Sequence, residues 1–296
     1  MKNKFRGTLA LLFATVIWGS AFIAQSVGMD HIGPMTFQAA RCGLGAVFLL
    51  PVIFIFDSNR KEYLKNWANP KLWKTGIACG FALFVAAGLQ QVGLVYTTAG
   101  KAGFITAMYI VLVPILGLFL KRKPPFTAWI SVLVATIGLY LLSCAGVSEV
   151  NLGDILMVGS ALGFAVQITL VDRLAADLDG LRLNCIQAFI CALFSAITMI
   201  LTESPTLTGV MESAVPIAYA GILSMGVAYS LQIIGQKHLE PTPASLIMSL
   251  ESVFAGLCGW LLLHERMSPI ELCGCALVFG AVVLSQLPDK KKKNNA

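Results

Sequence analysis

"LQQVGLVYTTAGKAGFITAMYIVLVPILGLFL" runs from Leu89 to Leu120, and "LQIIGQKHLEPTPASLIMSLESVFAGLCGWLL" runs from Leu231 to Leu262. Shifted by 142 residues, the first lies on the second without a gap: Leu89 on Leu231, Gln90 on Gln232, Gly93 on Gly235, Ala102 on Ala244 and Gly117 on Gly259. Further along, Gly138 meets Gly280 and Ser143 meets Ser285. Matches among Leu, Gly and Ala are common in apolar sequence and carry little weight alone. The shared order of apolar runs and connections carries more, because it persists across both halves of the chain.

Composition identifies the solvent for this repeat. Hydrophobic residues make up 57% of the 296, charged residues 12%, and the mean hydropathy is +0.80. These values lie far outside the range of water-soluble domains and read as an integral membrane protein. Apolar windows of about 20 residues, enough to span roughly 30 Å of hydrocarbon, recur ten times. They run approximately from Gly7 to Val27, Pro34 to Phe56, Thr75 to Tyr96, Ala99 to Leu120, Phe126 to Leu142, Gly153 to Val171, Leu181 to Leu201, Pro216 to Gly235, Thr242 to Leu263, and Ser268 to Leu287. The first has the basic flank of a cleavable leader, but its apolar stretch is longer than a leader's and nine spans follow, so a retained helix is expected. Five spans per half, an odd number, make the second half enter the membrane from the opposite side. The expected fold is thus all-α and integral to the membrane. Ten transmembrane helices form two inverted five-helix repeats at residues 1–145 and 146–288, followed by a basic tail at 289–296. Inverted repeats build secondary transporters, because a midplane site between the halves can open to either side in turn.

Basic residues orient the chain. With the N-terminus in the cytoplasm, the inner connections hold 18 of the 21 Lys and Arg residues, among them Lys2, Arg60, Lys71, Lys121, Arg182 and the run Lys290 to Lys293. The outer connections hold Lys101 and Arg266, and Arg41 alone lies within a span. That bias predicts both termini in the cytoplasm. It also accounts for the net charge of +6 and makes the lysine tail an anchor for anionic head groups, with no nucleic-acid partner. The eight cysteines are expected as small buried apolar side chains. Cys273 and Cys275 point about 200° apart on a helix, so they do not converge on a metal. No HExxH, GxSxG, Walker or GxGxxG pattern stands where its chemistry works. The expectation is therefore no enzyme, no cofactor and no metal, with any transport driven by a gradient rather than by nucleotide hydrolysis.

Charged and amide side chains inside the spans mark a candidate site. Glu251 lies about 13 Å past the inner boundary at Thr242 and Arg41 about 10 Å past the outer boundary at Pro34, so their levels differ by only about 6 Å across a 30 Å core. A charge facing lipid costs about 2.5–3.5 kcal/mol on insertion scales, so both should face the interior or a water-filled cavity. Either could serve transport or lock the bundle as an ion pair; Arg41 leans to the structural role, Glu251 to the functional one. Burial and a neighbouring arginine act on a carboxyl group in opposite senses, so the charge state of Glu251 stays open. Gln25, Gln38, Gln90, Gln91, Gln167, Gln187 and Gln232 can hydrogen-bond without the cost of a charge, some of them as glue between helices. Gln90 and Gln232 occupy matching repeat positions, Gln91 is the helical neighbour of Gln90, and Tyr109 falls on Glu251 under the shift. Gly76 with Gly80, and Gly159 with Gly163, would let helices approach closely within one chain. Monomer and homodimer both stay open.

Three motifs carry a family resemblance: "IWGSAF" at Ile17 to Phe22, "GPMTFQAAR" ending at Arg41, and "SLESVFAGLCGWLLLHER" at Ser249 to Arg266. In this order and spacing the chain resembles the EamA-type permeases of the drug/metabolite transporter superfamily over nearly its whole length. There are departures: Ser252 stands where the family usually has proline, and His264 where glycine usually precedes the position of Glu265. The first puts a helix break there in doubt, with Pro114 as a corresponding kink in the fourth span. The resemblance implies a secondary transporter, an exporter of a small metabolite, amino acid or amphipathic drug working by alternating access, multi-pass in a plasma membrane of the bacterial inner-membrane kind. It implies a small-molecule substrate, the lipid bilayer and a proton or other coupling ion as partners, and a Trp18 that borders the cavity. The competing class is a non-transporting membrane scaffold or intramembrane enzyme. The expected site set is Trp18, Arg41, Gln90, Gln91, Tyr109, Gln167, Gln232 and Glu251.

Overall fold

The computed structural model describes residues 2–57, 60–97, 99–143, 151–262 and 267–287. Cys144, Glu149, the His264, Glu265 and Arg266 connection and the basic tail at 289–296 lie outside the described residues. All regular elements among the described residues are helices. In chain order they are α1 (Lys2–Gly28), α2 (Pro34–Phe56), α3 (Arg60–Trp67), α4 (Pro70–Gly93), α5 (Ala99–Ala107), α6 (Tyr109–Phe119), α7 (Phe126–Ser143), α8 (Leu152–Leu174) and α9 (Gly180–Thr202). There follow α10 (Leu207–Glu212), α11 (Ala214–Ala218), a π-helical segment (Tyr219–Ala228), α12 (Tyr229–Gln236), α13 (Pro241–Met248), α14 (Leu250–Leu262) and α15 (Pro269–Gln286).

Eight helical stretches among the described residues are long and apolar enough to cross a bilayer: Asn3–Gly28, Pro34–Phe56, Pro70–Gly93, Lys101–Phe119, Leu152–Leu174, Gly180–Thr202, Ala214–Gln236 and Pro269–Gln286. Two expected spans take another form. Phe126–Leu142 is a shorter apolar helix, and the span expected from Thr242 to Leu263 is divided between α13 and α14 at Ser249. No proline makes that break. At Ser249 the backbone tightens to a three-residue bond, Ser252 N donating to Ser249 O at 3.2 Å, while Ser249 Oγ donates to Leu246 O at 2.8 Å. Met108 interrupts α5 and α6 in the same way, with Val111 N on Met108 O at 3.0 Å. α6 then continues through Pro114. The helix boundary within this span thus lies six residues before Pro114, which α6 contains.

Polar ends and small residues organise the packing. Asn151 with Asp154, and Ser268 with Glu271, form capping boxes that start α8 and α15. The N-terminus of α2 is capped across the fold: Glu203 accepts from Met35 N and Thr36 N, both at 2.8 Å. A Cβ on Gly76 or Gly80 would meet Ile186 or Ile190 of α9, and one on Gly163 would meet Ala86 Cα of α4 at 2.8 Å, so both glycine pairs serve contacts within the chain. α1 packs on α13, α14, the π segment and α12, whereas α8 packs on α5, α6 and α4. α2 pairs with α9, and α7 with α15. Large apolar side chains such as Phe54, Phe119, Ile200 and Leu201 point outward, as a surface facing lipid requires.

Two expectations about side chains change. Cys42, Cys79, Cys185, Cys191 and Cys275 are buried as expected, but Cys273 is exposed and Cys258 half-buried. Arg182, counted with the connections, is 2% exposed within α9 and is held by Asp57 and Asp179. Pairing makes its burial tolerable.

Candidate functional site

A cavity of about 40 Å³ lies between the helices, and Trp18, Arg41, Gln90, Tyr109, Gln232 and Glu251 all line it. They arrive from α1, α2, α4, α6, α12 and α14. Glu251 sits two residues past the Ser249 break, in the first turn of α14, 8% exposed, and its Oε1 accepts from the Tyr109 hydroxyl at 3.1 Å. These are the two residues that coincide under the 142-residue shift, and they touch. Arg41 Nε and Nη2 donate to Gln38 Oε1 at 2.9 and 2.6 Å, and its guanidinium lies 6.0 Å from the Phe37 ring centroid. Arg41 and Glu251 thus border the same space, each satisfied by a neutral neighbour rather than by the other.

Gln91 and Gln167, placed on the same list by sequence, do not line it. Gln91 Nε2 points to Met29 Sδ at 2.9 Å, and Gln167 stands one layer back, where its Oε1 accepts from Gln232 Nε2 at 3.1 Å. From Gln167 an amide chain runs outward: Gln167 Nε2 to Gln187 Oε1 at 3.3 Å, then Gln187 Nε2 to Asn184 Oδ1 at 2.8 Å. Asn184 Nδ2 donates in turn to Met225 O at 2.8 Å and Gly226 O at 3.1 Å, carbonyls of the π segment. The wide π turn bulges Ser224 into the cavity wall beside Tyr229, whose ring meets Trp18 edge-on at 5.0 Å.

The wall also includes Phe22, Phe164, Ile168 and Met248, which sequence reasoning did not single out. Apolar residues in apolar spans carry no signal, and Tyr229 has none beyond its hydroxyl. Three polar atoms of the lining are buried without a hydrogen-bond partner among the described residues: Trp18 Nε1, Gln25 Oε1 and Gln232 Oε1. Buried polar groups are nearly always paired, so each calls for an explanation. With the guanidinium of Arg41 and the carboxyl of Glu251, they give the cavity donors for an anionic group and acceptors for a cationic one.

A multi-pass helical membrane protein with a polar cavity between its helices has the architecture of a transporter, and comparison with known proteins agrees. Two stretches, residues 5–144 and 151–287, match the EamA-like transporter family. The chain is 32% identical to an uncharacterized transporter of Archaeoglobus fulgidus, over 96% of this chain and 87% of that protein. It is 27% identical to the threonine/homoserine exporter RhtA of Escherichia coli K12, over 96% and 92% of the two chains. A solved crystal structure 18% identical in sequence superposes with a TM-score of 0.80, covering 95% of this chain and 96% of that one, which is a likeness of fold. The chain belongs to the EamA-like transporter family, the EamA-type permeases of the drug/metabolite transporter superfamily.

Proposed function

We propose that this protein is a secondary transporter that exports a small zwitterionic metabolite, an amino acid first among candidates, by alternating access across a plasma membrane. The observation that carries the reading is the cavity itself: Trp18 Nε1, Gln25 Oε1 and Gln232 Oε1, unpartnered among the described residues, line the same space as Arg41 and Glu251. A carboxylate would take Arg41 and the indole N–H; an ammonium would take Glu251 and the amide oxygens, each contact strengthened by the low dielectric around it. The aromatic wall of Trp18, Phe22, Phe164 and Tyr229 suits a modest apolar side chain. The related RhtA, named for threonine and homoserine export, supports the same substrate class.

The proposed architecture is ten spans in two inverted repeats, residues 1–145 and 146–288, with both termini cytoplasmic. Its support is the twofold match to one family and an exchange symmetry in the packing: α1 meets the elements at the end of the second half as α8 meets those of the first, while α2 pairs with α9 and α7 with α15. The Tyr109 and Glu251 contact would then lie beside the axis relating the halves. The test is uptake and counterflow in proteoliposomes with labelled threonine, homoserine and a panel of other amino acids and organic cations. Saturable flux is expected for a free amino acid, with its methyl ester and N-acetyl forms failing to compete. Flux confined to compounds with a single charge, or none for any member, would overturn the reading.

A further inference from the structure

Behind Arg41 the cavity wall holds a feature that amino-acid transport does not use. Cys42 follows Arg41 on α2, Cys191 faces it from α9, and Met225 follows the lining residue Ser224 on the π segment. Cys42 Sγ lies 3.5 Å from Cys191 Sγ and 3.8 Å from Met225 Sδ. All three side chains are at most 2% exposed. Three sulfurs from three elements meet because Gly45 leaves Met225 room against α2: a Cβ there would come within 2.7 Å of Met225 Cγ.

We propose that Cys42, Cys191 and Met225 form a binding site for a soft monovalent d¹⁰ cation of the Cu(I) or Ag(I) type. Thiolate and thioether ligands select such ions. A metal with three bonds of about 2.3 Å in a plane holds its sulfurs about 4 Å apart, so the two spacings from Cys42 need to open by at most about half an ångström. Zinc would require a fourth ligand, and the neighbouring amide does not supply one: Gln38 turns its N–H toward Cys191 Sγ at 3.3 Å, a donor to a thiolate rather than a lone pair for a metal. The charges close as well. Binding expels one proton from each thiol, leaving two thiolates and one cation with net charge −1. Gln38 links that group to the Arg41 guanidinium, so the buried assembly is neutral overall. On this proposal ions and protons would reach it from the cavity side, where Arg41 and Ser224, the chain neighbours of Cys42 and Met225, line the wall. An occupied site would staple α2, α9 and the π segment together.

The test uses the full-length protein in detergent under reducing conditions, titrated with Cu(I) against a chromogenic Cu(I) chelator. Cys42→Ser and Cys191→Ser should each weaken retention at least about tenfold, since even residues supporting ligands cost that much. Met225→Leu, which keeps the volume, should lower the sulfur coordination number in the copper X-ray absorption spectrum from three to two. Wild-type protein gives an independent readout needing no variant: Cu(I) should protect Cys42 and Cys191 together from alkylation, mapped by peptide mass spectrometry. Copper retention unchanged in the variant carrying both Cys42→Ser and Cys191→Ser, two sulfurs already in the wild type, or protection falling on other cysteines would overturn the site.

Discussion

Glu251 holds a carboxyl inside the membrane, beside a cavity, against a hydroxyl rather than a cation. A group so placed can change its protonation as substrate arrives, whereas one locked to Arg41 could not. The expected outcome of Glu251→Gln, which keeps size and hydrogen bonding, is a folded protein whose transport in proteoliposomes no longer varies with pH. Wild-type rate and pH profile in that variant would make Glu251 a bystander. Gln232 makes a second test, because its Oε1 has no partner among the described residues while its Nε2 is anchored to Gln167. Gln232→Leu should raise KM for the transported amino acid about tenfold, the loss of one hydrogen bond to a charged group, beside a stability cost of about 1–3 kcal/mol from leaving buried Gln167 Oε1 without its donor. Sequence pointed to seven of the residues that line the cavity, Gln25 included, but could not exclude Gln91, since adjacent positions differ by about 100° of rotation and only packing fixes which one faces inward.

The elements add constraints of their own. α8 meets α4 through Gly163, where a Cβ would lie 2.8 Å from both Cα and Cβ of Ala86 and 3.1 Å from its N. The backbone cannot move aside as a flexible side chain could, so Gly163→Ala should cost about 1–3 kcal/mol, read as a lower melting temperature in detergent. The end of α6 makes the opposite case. Arg122 N bonds to Gly117 O at 2.9 Å and Lys121 N to Leu118 O at 2.9 Å, closing the helix with Lys121 at φ 59°. A side chain there costs about 1 kcal/mol, so Lys121→Gly should raise the melting temperature and Lys121→Ala should not. Neither the tightened turns at Met108 and Ser249 nor the π segment has a signature in sequence. Each depends on where hydrogen bonds go once neighbours are packed, as Asn184 shows by taking up Met225 O and Gly226 O.

For the whole molecule, the proposed topology places residues 149 and 203 on the outer side and both termini inside. Reporter fusions at Glu149 and just after Glu203 should read as external, and those at Lys71 and at the C-terminus as cytoplasmic. A cytoplasmic signal at 149 or 203 would remove both the orientation and the inverted repeat. Ties between elements near the ends of α8 fit the same frame: Lys101 Nζ meets Asp154 at 2.6 Å beside the start of α8, and Arg122 meets Asp172 at 2.6 Å near its end. On the proposed topology these would clamp the fourth span to α8 at its outer and inner ends.

The sequence by itself determined the solvent, the approximate course of the apolar spans, the repeat and the family. A bilayer permits only long apolar helices that satisfy their own backbone, so those properties are written in composition and period. Only the tertiary structure decided which amides face the cavity, why Arg41 turns to Gln38, how three sulfurs from distant positions meet, and where α13 gives way to α14 without a proline. These depend on helix rotation and on contacts across the chain, and in a membrane nearly every face is apolar, so the linear pattern carries little record of which face turns inward.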